Sequence, residues 1–534
     1  MTRSHPDKNF ILGIDVGTSG CKVLLADKAG TVRASAVEPY PLAQPRPGWT
    51  EQDPRLWWNA CCAACRRVLN AGVCDGSDIA AVGLTGQMHS LVALDERMDP
   101  IRPAILWNDQ RTTAQCREIQ ELSGGLDGLL NYTNNMMLTG YTGGKLLWLR
   151  EHEPENFCRL WTVLMPKDYL RYQLTGVLMT DVSDASGTGL FDVRYRRWAT
   201  ELLDRLALPE SIFPPVCESP DITGTVTEAA AISTGLAVGT PVCGGGGDAV
   251  LSLLSAGIAR NDRLGVTLGT SGVVATPIHS YRPNPEGKLQ MFCGTTPGTW
   301  AAIGCTLAAA GSYHWFCQAL GTYELLRQQQ EGVDAYILLD EQAHAAPAGC
   351  GGLLYFPYLM GERCPLFDAD ARGAFWGIDS TMDKGHFARA VLEGVAYSLR
   401  QVYDLTRSPD VGAPEYIVVC GGGSKSGLWR QILADVFQLP VCTTGGAAEG
   451  RLQRLFLLRG KGGEHPVGQV VVRVGLGAHA DLDPREVLAA QRGDDGLDAV
   501  VPAGRAIPAD AQASGGQRDV VENNQAALRR DTVE

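Results

Sequence analysis

The sequence predicts an α/β protein built from two similar domains, on three observations. First, 534 residues are too many for one ordinary domain. Second, 45% of the residues are hydrophobic and 20% are charged, a balance typical of chains that bury substantial cores. Third, DVGTSG at 15–20 returns as TLGTSG at 267–272, about half a chain later. Each copy lies between two apolar segments, so an internal duplication is the simplest explanation.

The first half begins with a predicted β-hairpin. The apolar segments FILGI (10–14) and VLLAD (23–27) flank a glycine-bearing loop, which is typical of two antiparallel strands. The apolar run IAAVGLTG (79–86) predicts a buried strand. Helical patterns follow at 111–122 and 145–152.

A glycine-dense stretch, GTPVCGGGGDAV, lies near the middle of the chain and predicts a domain boundary within 235–250. A third glycine cluster follows in the second half. There YIVVC (416–420) predicts a strand, and Gly421, Gly422 and Gly423 predict a turn. We expect a helix from about Lys425, with Ser424 as its N-cap.

The chain changes character after residue 450. Of its 38 aromatic residues only Phe456 lies in 451–534, and none of the 16 cysteines or 11 tryptophans does. The segment is rich in Ala, Gly, Asp, Gln and Arg and has little apolar periodicity, so it offers little burial to offset the entropy of ordering it. We therefore treat 451–534 as an atypical tail.

Charge and composition exclude several classes of partner. The net charge of −13 argues against nucleic acid and against anionic membrane surfaces, which both attract basic patches. No signal-like start and no apolar run of about 18 residues is apparent, so the sequence predicts a cytoplasmic protein. In that compartment scattered cysteines are expected to be reduced, and Cys61, Cys62 and Cys65 to be packed thiols in a helix. The oligomeric state stays open, a homodimer included.

Two glycine loops facing each other across a cleft could hold the phosphates of a nucleotide. Without side chains, several backbone N–H groups can converge on phosphate oxygens, and hydroxyl groups add further donors. For one loop alone an ordinary tight turn is the better interpretation, whereas the duplicated pair with a third cluster favours phosphate binding. The spacing of a Walker loop is missing. The candidate residues are Gly17, Thr18 and Ser19 in the first loop and Gly269, Thr270 and Ser271 in the second.

Two aspartates are candidates for phosphoryl-transfer chemistry. Asp15 ends the first strand beside the first loop, where a carboxylate could hold Mg²⁺; the repeat has Thr267 instead. Asp248 follows four glycines and precedes an apolar helical run. From spacing alone it is equally a helix N-cap or a general base that accepts a hydroxyl proton.

Longer segments resemble the FGGY family of carbohydrate kinases, in the family's order, over about residues 10–449. They include GIDVGTSGCKVLLAD, PGWTEQDPRLWW, LTGQMHSLVALD, ILWNDQRT, TDVSDASGTGLFDV, LGTSGVVAT and VCGGGSKSGLWRQILADVF. GQMHS and LWNDQR are most similar to the family's xylulose-phosphorylating members. The resemblance implies two actin-like (ribonuclease-H-like) domains with a catalytic cleft between them. It also implies transfer of the ATP γ-phosphoryl group to the 5-hydroxyl of D-xylulose, with ATP and Mg²⁺ as cofactors.

Carried over by position, the resemblance assigns roles to individual residues. Asp248 matches the catalytic base and Asp15 the metal-linked aspartate. The sugar-site motifs correspond to Met88 and His89 and to Trp107, Asn108 and Asp109, and the adenosine motif to Gly421, Gly422, Gly423 and Lys425, with Trp429. Each of these residues has an ordinary alternative role. Met88 could simply fill space in the core, His89 could be a core histidine, and Asn108 and Asp109 could form an Asx turn. The predicted domains are 1–245 (sugar site, first phosphate loop), 246–450 (catalytic aspartate, second phosphate loop, adenosine motif) and the tail, 451–534.

Three rival functions stay open. One is a kinase for another ketose or polyol, such as ribulose, glycerol or gluconate. A second is a catalytically impaired sugar- or nucleotide-binding protein, because nothing in RLQRLFLLRGKGGEHPVGQ and beyond resembles the family. A shift of reading frame near residue 450 is our hypothesis for that break. A third is an actin-like filament protein or chaperone ATPase, against which the sugar motifs argue.

Overall fold

The computed structural model describes residues 9–258, 262–407 and 413–443, together with three two-residue strands further on. Residues 9–258 form the first lobe, and 262–407 with 413–443 form the second lobe. The predicted tail, 451–534, lies outside the described residues apart from those three strands, so the expectations for it stay predictions. No helix in the described part of the chain is long and apolar enough to cross a membrane.

The first lobe contains a mixed sheet and the helices that cover it. Its strands are β1 (Phe10–Val16), β2 (Gly20–Asp27), β3 (Val32–Pro39), β4 (Glu51–Gln52), β5 (Ile79–Gly86), β6 (Val92–Leu94), β7 (Ala104–Ile105), β8 (Thr162–Leu164), β9 (Thr180–Asp181), β10 (Phe191–Asp192), β11 (Arg197–Trp198), β12 (Val216–Cys217), β13 (Ile222–Thr225), β14 (Pro241–Cys243) and β15 (Gly246–Gly247). Its helices are α1 (Pro54–Leu69), α2 (Thr113–Leu122), α3 (Gly125–Thr133), α4 (Thr142–His152), α5 (Pro154–Cys158), α6 (Pro166–Thr175), α7 (Val182–Ser186), α8 (Thr200–Arg205), α9 (Glu228–Thr234) and α10 (Asp248–Ser255).

The second lobe has the same kind of architecture. Its strands are β16 (Arg263–Leu268), β17 (Gly272–Ile278), β18 (Gln290–Cys293), β19 (Trp300–Thr306), β20 (Leu354–Phe356), β21 (Ala374–Trp376), β22 (Tyr416–Cys420) and β23 (Val441–Thr443), and the strands further on are β24 (Leu457–Leu458), β25 (Val470–Val471) and β26 (Ala499–Val500). Its helices are α11 (Ala310–Leu320), α12 (Thr322–Glu331), α13 (Ala335–Ala345), α14 (Lys384–Thr406) and α15 (Gly427–Phe437).

The two main sheets repeat one topology, which confirms the predicted duplication. The first has the order β13-β14-β5-β1-β2-β3, and the second β18-β19-β17-β16-β22-β23-β26. In each, the opening hairpin is antiparallel and its first strand pairs in parallel with a later buried strand, β5 or β22. Asp15 of β1 and Thr267 of β16 hold the same place, each two residues before a glycine loop.

Both sheets are buried by helices, as their apolar strands predict. In the first lobe Leu12 and Ile14 belong to one core with Trp57 of α1. In the second lobe Val266 belongs to a core with Leu392 of the long helix α14. The predicted hairpin, the strand at 79–86 and the helices near 111–122 and 145–152 all form.

A third core contains residues of both lobes and joins them. It contains Met88 and Tyr141 from the first lobe and Phe292 and Ile303 from the second. Hydrogen bonds cross the same junction, for example from the Cys293 N–H to Ser186 Oγ (3.0 Å). The interface between the lobes is therefore largely apolar.

Two local expectations change. The helix after the third glycine cluster begins at Gly427, and its N-cap is Ser426, whose side chain accepts from the Trp429 N–H. The prediction of Ser424 as N-cap is wrong, because an extra 3₁₀ turn intervenes and Ser424 Oγ donates to the Gly421 carbonyl (2.7 Å). At α10 the N-cap is Gly247, so Asp248 is the first helical residue and the N-cap interpretation of Asp248 falls away.

Candidate active site

The first glycine loop is held through its backbone carbonyl groups. The Tyr40 hydroxyl donates to the Gly17 carbonyl (2.6 Å), and Gln52 Nε2 donates to the Thr18 carbonyl (2.8 Å). The Tyr40 N–H donates to the Ser19 carbonyl (3.3 Å). Three successive carbonyl groups of the loop are thus fixed by Tyr40 and Gln52 of the same lobe.

The second loop is held in the same way by the start of α11. The Ala310 N–H donates to the Gly269 carbonyl (2.8 Å), and the Ala309 N–H donates to the Thr270 carbonyl (2.8 Å). Within the loop, the Gly269 N–H donates to the Ser271 carbonyl (3.1 Å).

This anchoring sets the direction of the loop N–H groups. In a planar trans peptide the C=O of one residue and the N–H of the next point in opposite directions. The N–H groups of Thr18 and Ser19 therefore point away from the first lobe's anchors, and those of Thr270 and Ser271 point away from α11. Successive N–H groups displayed on one side of a turn suit phosphate oxygens.

The third glycine cluster packs directly on the second loop. Gly421 has φ +91°, and a Cβ there would lie 2.6 Å from the Leu268 carbonyl oxygen and 3.1 Å from the Gly269 nitrogen. Only glycine allows this approach. Gly423 lies over the ring of Trp429, whose Nε1 donates to the Leu392 carbonyl (3.0 Å). Trp429 is thus a buried support for the turn, while Gly422 and Lys425 are exposed.

His89 has an unusual backbone conformation that its neighbours stabilise. Its φ is +67°, which a non-glycine residue adopts rarely and at some energetic cost. Its carbonyl accepts from Lys145 Nζ (2.8 Å) and Thr142 Oγ1 (3.0 Å). Lys145 is fully buried and also donates to the Gly140 carbonyl (2.6 Å). Burial lowers the pKa of Lys145 to about 7.

The His89 ring lies in a mostly apolar setting. It stacks on Tyr141 at 4.6 Å between centroids and lies 5.8 Å from Phe292 of the second lobe. Burial lowers the pKa of His89 to about 3; the hydrogen bond to the Gly187 carbonyl acts in the opposite direction, and the charges of Lys145 and Arg363 add to the lowering. The ring is therefore neutral. Its Nδ1 lies 2.6 Å from the Gly187 carbonyl, so Nδ1 carries the proton and Nε2 is an acceptor.

The second predicted sugar motif contacts the first phosphate loop. Trp107, 45% exposed, donates from Nε1 to Thr18 Oγ1 (2.9 Å). Asn108 Oδ1 accepts from Thr50 Oγ1 (2.7 Å). Asp109 is fully buried, and its carboxylate accepts from Arg111 Nη2 (2.7 Å) and from the Thr50 N–H (2.7 Å). Asp109 thus fixes this segment to the lobe.

Strand pairing brings the two candidate aspartates to one edge of the first sheet. Thr85 of β5 lies between Asp15 of β1 and Gly246 of β15, and both neighbours run parallel to β5. The adjacent strands on either side of β5 are therefore about 10 Å apart, two interstrand spacings. Asp248 lies two residues after Gly246, so Asp15 and Asp248 lie on either side of the carboxyl end of β5.

Gly247 places Asp248 against the first sugar motif. A Cβ at Gly247 would lie 2.6 Å from Met88 Cγ. Met88, which is 2% exposed, thus fills the space beside the backbone that leads into Asp248. The strands also assign Gly246 and Gly247 to the first sheet.

A crevice between the lobes continues from the His89 ring. Its first-lobe lining includes Met136, Leu138 and Tyr141, and its second-lobe lining includes Arg363 and Phe367. Because Tyr141 stacks on His89, this crevice adjoins the predicted sugar site.

The sequence did not reveal the residues whose hydrogen bonds fix the backbone of the site. Tyr40 and Gln52 hold the first glycine loop, and Ser183 accepts from the Gly247 N–H (2.9 Å). All three act through contacts with distant segments and carry no local signal. Lys145 did carry a local signal. It is the lone lysine at the start of the apolar run KLLWL, which indicates that its side chain is buried and needs polar partners.

Both lobes match one enzyme family. The N-terminal domain of the FGGY family of carbohydrate kinases matches residues 10–255, and its C-terminal domain matches residues 264–452. The chain belongs to the FGGY family and is a sugar kinase. This confirms the resemblance found in the sequence motifs and the two-domain fold class.

Xylulose kinases are prominent among its relatives. The chain is 37% identical to the xylulose kinase of Bacillus subtilis (strain 168) over 433 residues, which cover 81% of this chain and 84% of that protein. It is 35% identical to the xylulose kinase of Escherichia coli (strain K12), over 80% of this chain and 84% of that one. The crystal structure of xylulose kinase from Rhodospirillum rubrum superposes with a TM-score of 0.78 at 28% identity, covering 98% of each chain.

Proposed function

We propose that this chain transfers the γ-phosphoryl group of ATP to the terminal 5-hydroxyl of D-xylulose. The observation that carries the proposal is the arrangement at the carboxyl end of β5. There Asp15, Asp248 and Met88–His89 lie together beside a glycine loop that displays its N–H groups. The choice of sugar is supported by the xylulose kinases at 35–38% identity.

In this proposal Asp248 is the general base. Its carboxylate accepts the proton of the 5-hydroxyl as that oxygen forms its bond to phosphorus. The N–H groups of Thr18, Ser19, Thr270 and Ser271 stabilise the charge on the phosphoryl oxygens, and ADP is the leaving group. The turn at 421–425, packed on the second loop, holds the adenosine side.

His89 and Trp107 face the sugar in this proposal. The neutral imidazole offers Nε2 as an acceptor for a sugar hydroxyl. A site that pairs each hydroxyl discriminates strongly against a sugar that lacks one, because a buried polar group is then left unpaired. The exposed face of Trp107 covers the carbon chain, and its link to Thr18 couples the sugar side to the phosphate side.

Asp15 is the residue that would hold Mg²⁺. Its half-buried carboxylate ends β1 next to the first loop, and Mg²⁺ favours one or two carboxylates together with phosphate oxygens and water. When bound, the ion would neutralise charge on the nucleotide phosphates.

A coupled ADP-release assay tests the substrate. The sugars are D-xylulose, ribulose, glycerol and gluconate, each with wild type and with Asp248→Asn as the control for contaminating kinases. We expect the highest kcat/KM for xylulose. A clear preference for one of the other three would contradict the proposal.

Gluconate is the second candidate. It is favoured by 29% identity to the gluconokinase of Bacillus subtilis (strain 168) over 81% of this chain. The same assay decides between the two sugars. Calorimetry addresses the impaired-kinase alternative: xylulose binding without turnover in a folded sample would favour a binding protein.

A further inference from the structure

A buried hydroxyl lies directly behind the segment that carries the proposed base. Ser183, at the start of α7, is fully buried. Its Oγ accepts from the Gly247 N–H (2.9 Å), in the Gly246–Gly247 peptide one residue before Asp248. The same hydroxyl donates to Asp181 Oδ2 (2.6 Å). Both hydrogen-bonding directions of the serine are thus defined by the structure.

Asp181 is itself fixed in place by a buried ionic group. Lys167 Nζ lies 2.9 Å from Asp181 Oδ1, with both side chains fully buried. Ser219 Oγ donates to Asp181 Oδ2 (2.7 Å). Burial would raise the pKa of Asp181, but Lys167 and the two serine hydroxyls outweigh it and lower that pKa. The carboxylate is therefore ionised and a firm acceptor for Ser183.

The Gly246–Gly247 segment has support on its other sides as well. It pairs with Thr85 and Gly86 of β5, and Met88 fills the space where a Gly247 side chain would stand. Since glycine backbone is intrinsically permissive, these contacts must define the direction in which the chain enters α10. Ser183 accepts the hydrogen bond from the Gly246–Gly247 peptide, one residue before the carboxylate.

We infer that Ser183 is a positioning residue for Asp248. It would orient the Gly246–Gly247 peptide so that the chain enters α10 with the Asp248 carboxylate directed at the acceptor hydroxyl, with the Lys167–Asp181 pair as the anchor. The inference rests on the proposed function, in which Asp248 is the base. It assigns no contact with substrate to Ser183.

The test compares Ser183→Ala with Ser219→Ala in the full-length chain. Both substitutions remove one serine hydroxyl from the same Asp181 oxygen, but only the first removes the acceptor of the Gly247 N–H. We expect similar losses of thermal stability and xylulose dissociation constants close to wild type in both. Only Ser183→Ala should lose kcat, by about 10- to 100-fold, as expected when a reacting group moves by about 1 Å. Equal kcat values in the two variants would overturn the inference.

A double-mutant cycle separates positioning from a general loss of structure. If Ser183 acts through Asp248, adding Ser183→Ala to Asp248→Asn should leave the residual kcat unchanged. A further fall of the same size as in wild type would overturn the inference. Near-normal turnover of Asp248→Asn alone would instead remove the base from the proposed function.

A second substitution covers the case in which Ser183→Ala does not fold. Ser183→Cys keeps the approximate size of the side chain but replaces the hydroxyl with a weak acceptor. We expect its kcat to fall below that of Ser219→Ala while xylulose still binds. A kcat equal to that of Ser219→Ala would contradict the positioning role.

Discussion

Protonation of His89 should destabilise the fold as the pH falls. The ring is confined by Tyr141 and Phe292, and its Nδ1–H is committed to the Gly187 carbonyl. Its pKa is lowered from 6.5 to about 3 in the folded chain. The stability linked to this group is therefore complete above the unfolded-state pKa, and it is lost as the pH falls from there towards the folded value.

The magnitude follows from the pKa difference. At about pH 5 the unfolded chain has taken up the proton and the folded chain has not, which lowers the free energy of unfolding by about 2 kcal/mol. This figure requires only that the folded pKa lie well below 5. Glu362, whose pKa is raised to about 6 mainly by burial, acts with the opposite sign, because its stabilisation is lost as the pH rises. A difference between two variants cancels that contribution.

His89→Asn is the matched variant. Asparagine tolerates positive φ better than most residues, and its amide can donate to the Gly187 carbonyl in place of Nδ1. Urea unfolding of wild type and variant, followed between about pH 7.5 and pH 5, gives the two free-energy curves. We expect the wild-type advantage to shrink by about 2 kcal/mol over that range. Parallel curves would refute the assignment of a neutral, half-buried imidazole.

The other predictions concern the site and the tail. Asp248→Asn should keep xylulose binding in calorimetry and lose turnover by about 10²- to 10⁴-fold, and near-normal rates would remove it from the base role. Gly421 has φ +91° and packs against the second loop, so Gly421→Ala should raise the KM for ATP at least about 10-fold without changing xylulose affinity. The control Gly427→Ala should leave the KM for ATP unchanged. Equal KM values for ATP in the two variants would contradict the packing of Gly421 on the loop. Trp107→Phe removes the hydrogen bond to Thr18 and should lower kcat/KM by about 5-fold, and an unchanged value would show that the bond is idle. In the coding DNA near codon 450, a single-base insertion or deletion should restore family-like sequence; if none does, the frameshift hypothesis is wrong.

The sequence was most informative where the signal was local. Apolar runs with glycine turns predicted the hairpin at 10–27 and the strand Ile79–Gly86, and the repeated GTSG between apolar segments predicted the duplication of the sheet. Local chemistry misled at two helix starts. Ser424 is of a residue type that often caps helices, but its hydroxyl closes a preceding turn and the helix begins after Ser426. Asp248 is of such a type as well, but it is the first helical residue after the N-cap Gly247.

The parts of the site that depend on long-range pairing could not be predicted from the sequence. Nothing near Asp248 in sequence reveals that β15 pairs with β5, which is what brings Asp248 to the same sheet edge as Asp15. The link from Ser183 to Gly247 spans 64 residues and that from Gln52 to Thr18 spans 34. Such contacts follow from the fold and not from any local pattern.

The arrangement of the reacting groups can be seen in a crystal structure with D-xylulose and a non-hydrolysable ATP analogue. We expect the γ-phosphate between the loops at 17–19 and 269–271, with the 5-hydroxyl within about 3.2 Å of an Asp248 carboxylate oxygen. A sugar bound with that hydroxyl directed away from Asp248, or a γ-phosphate outside the two loops, would contradict this arrangement.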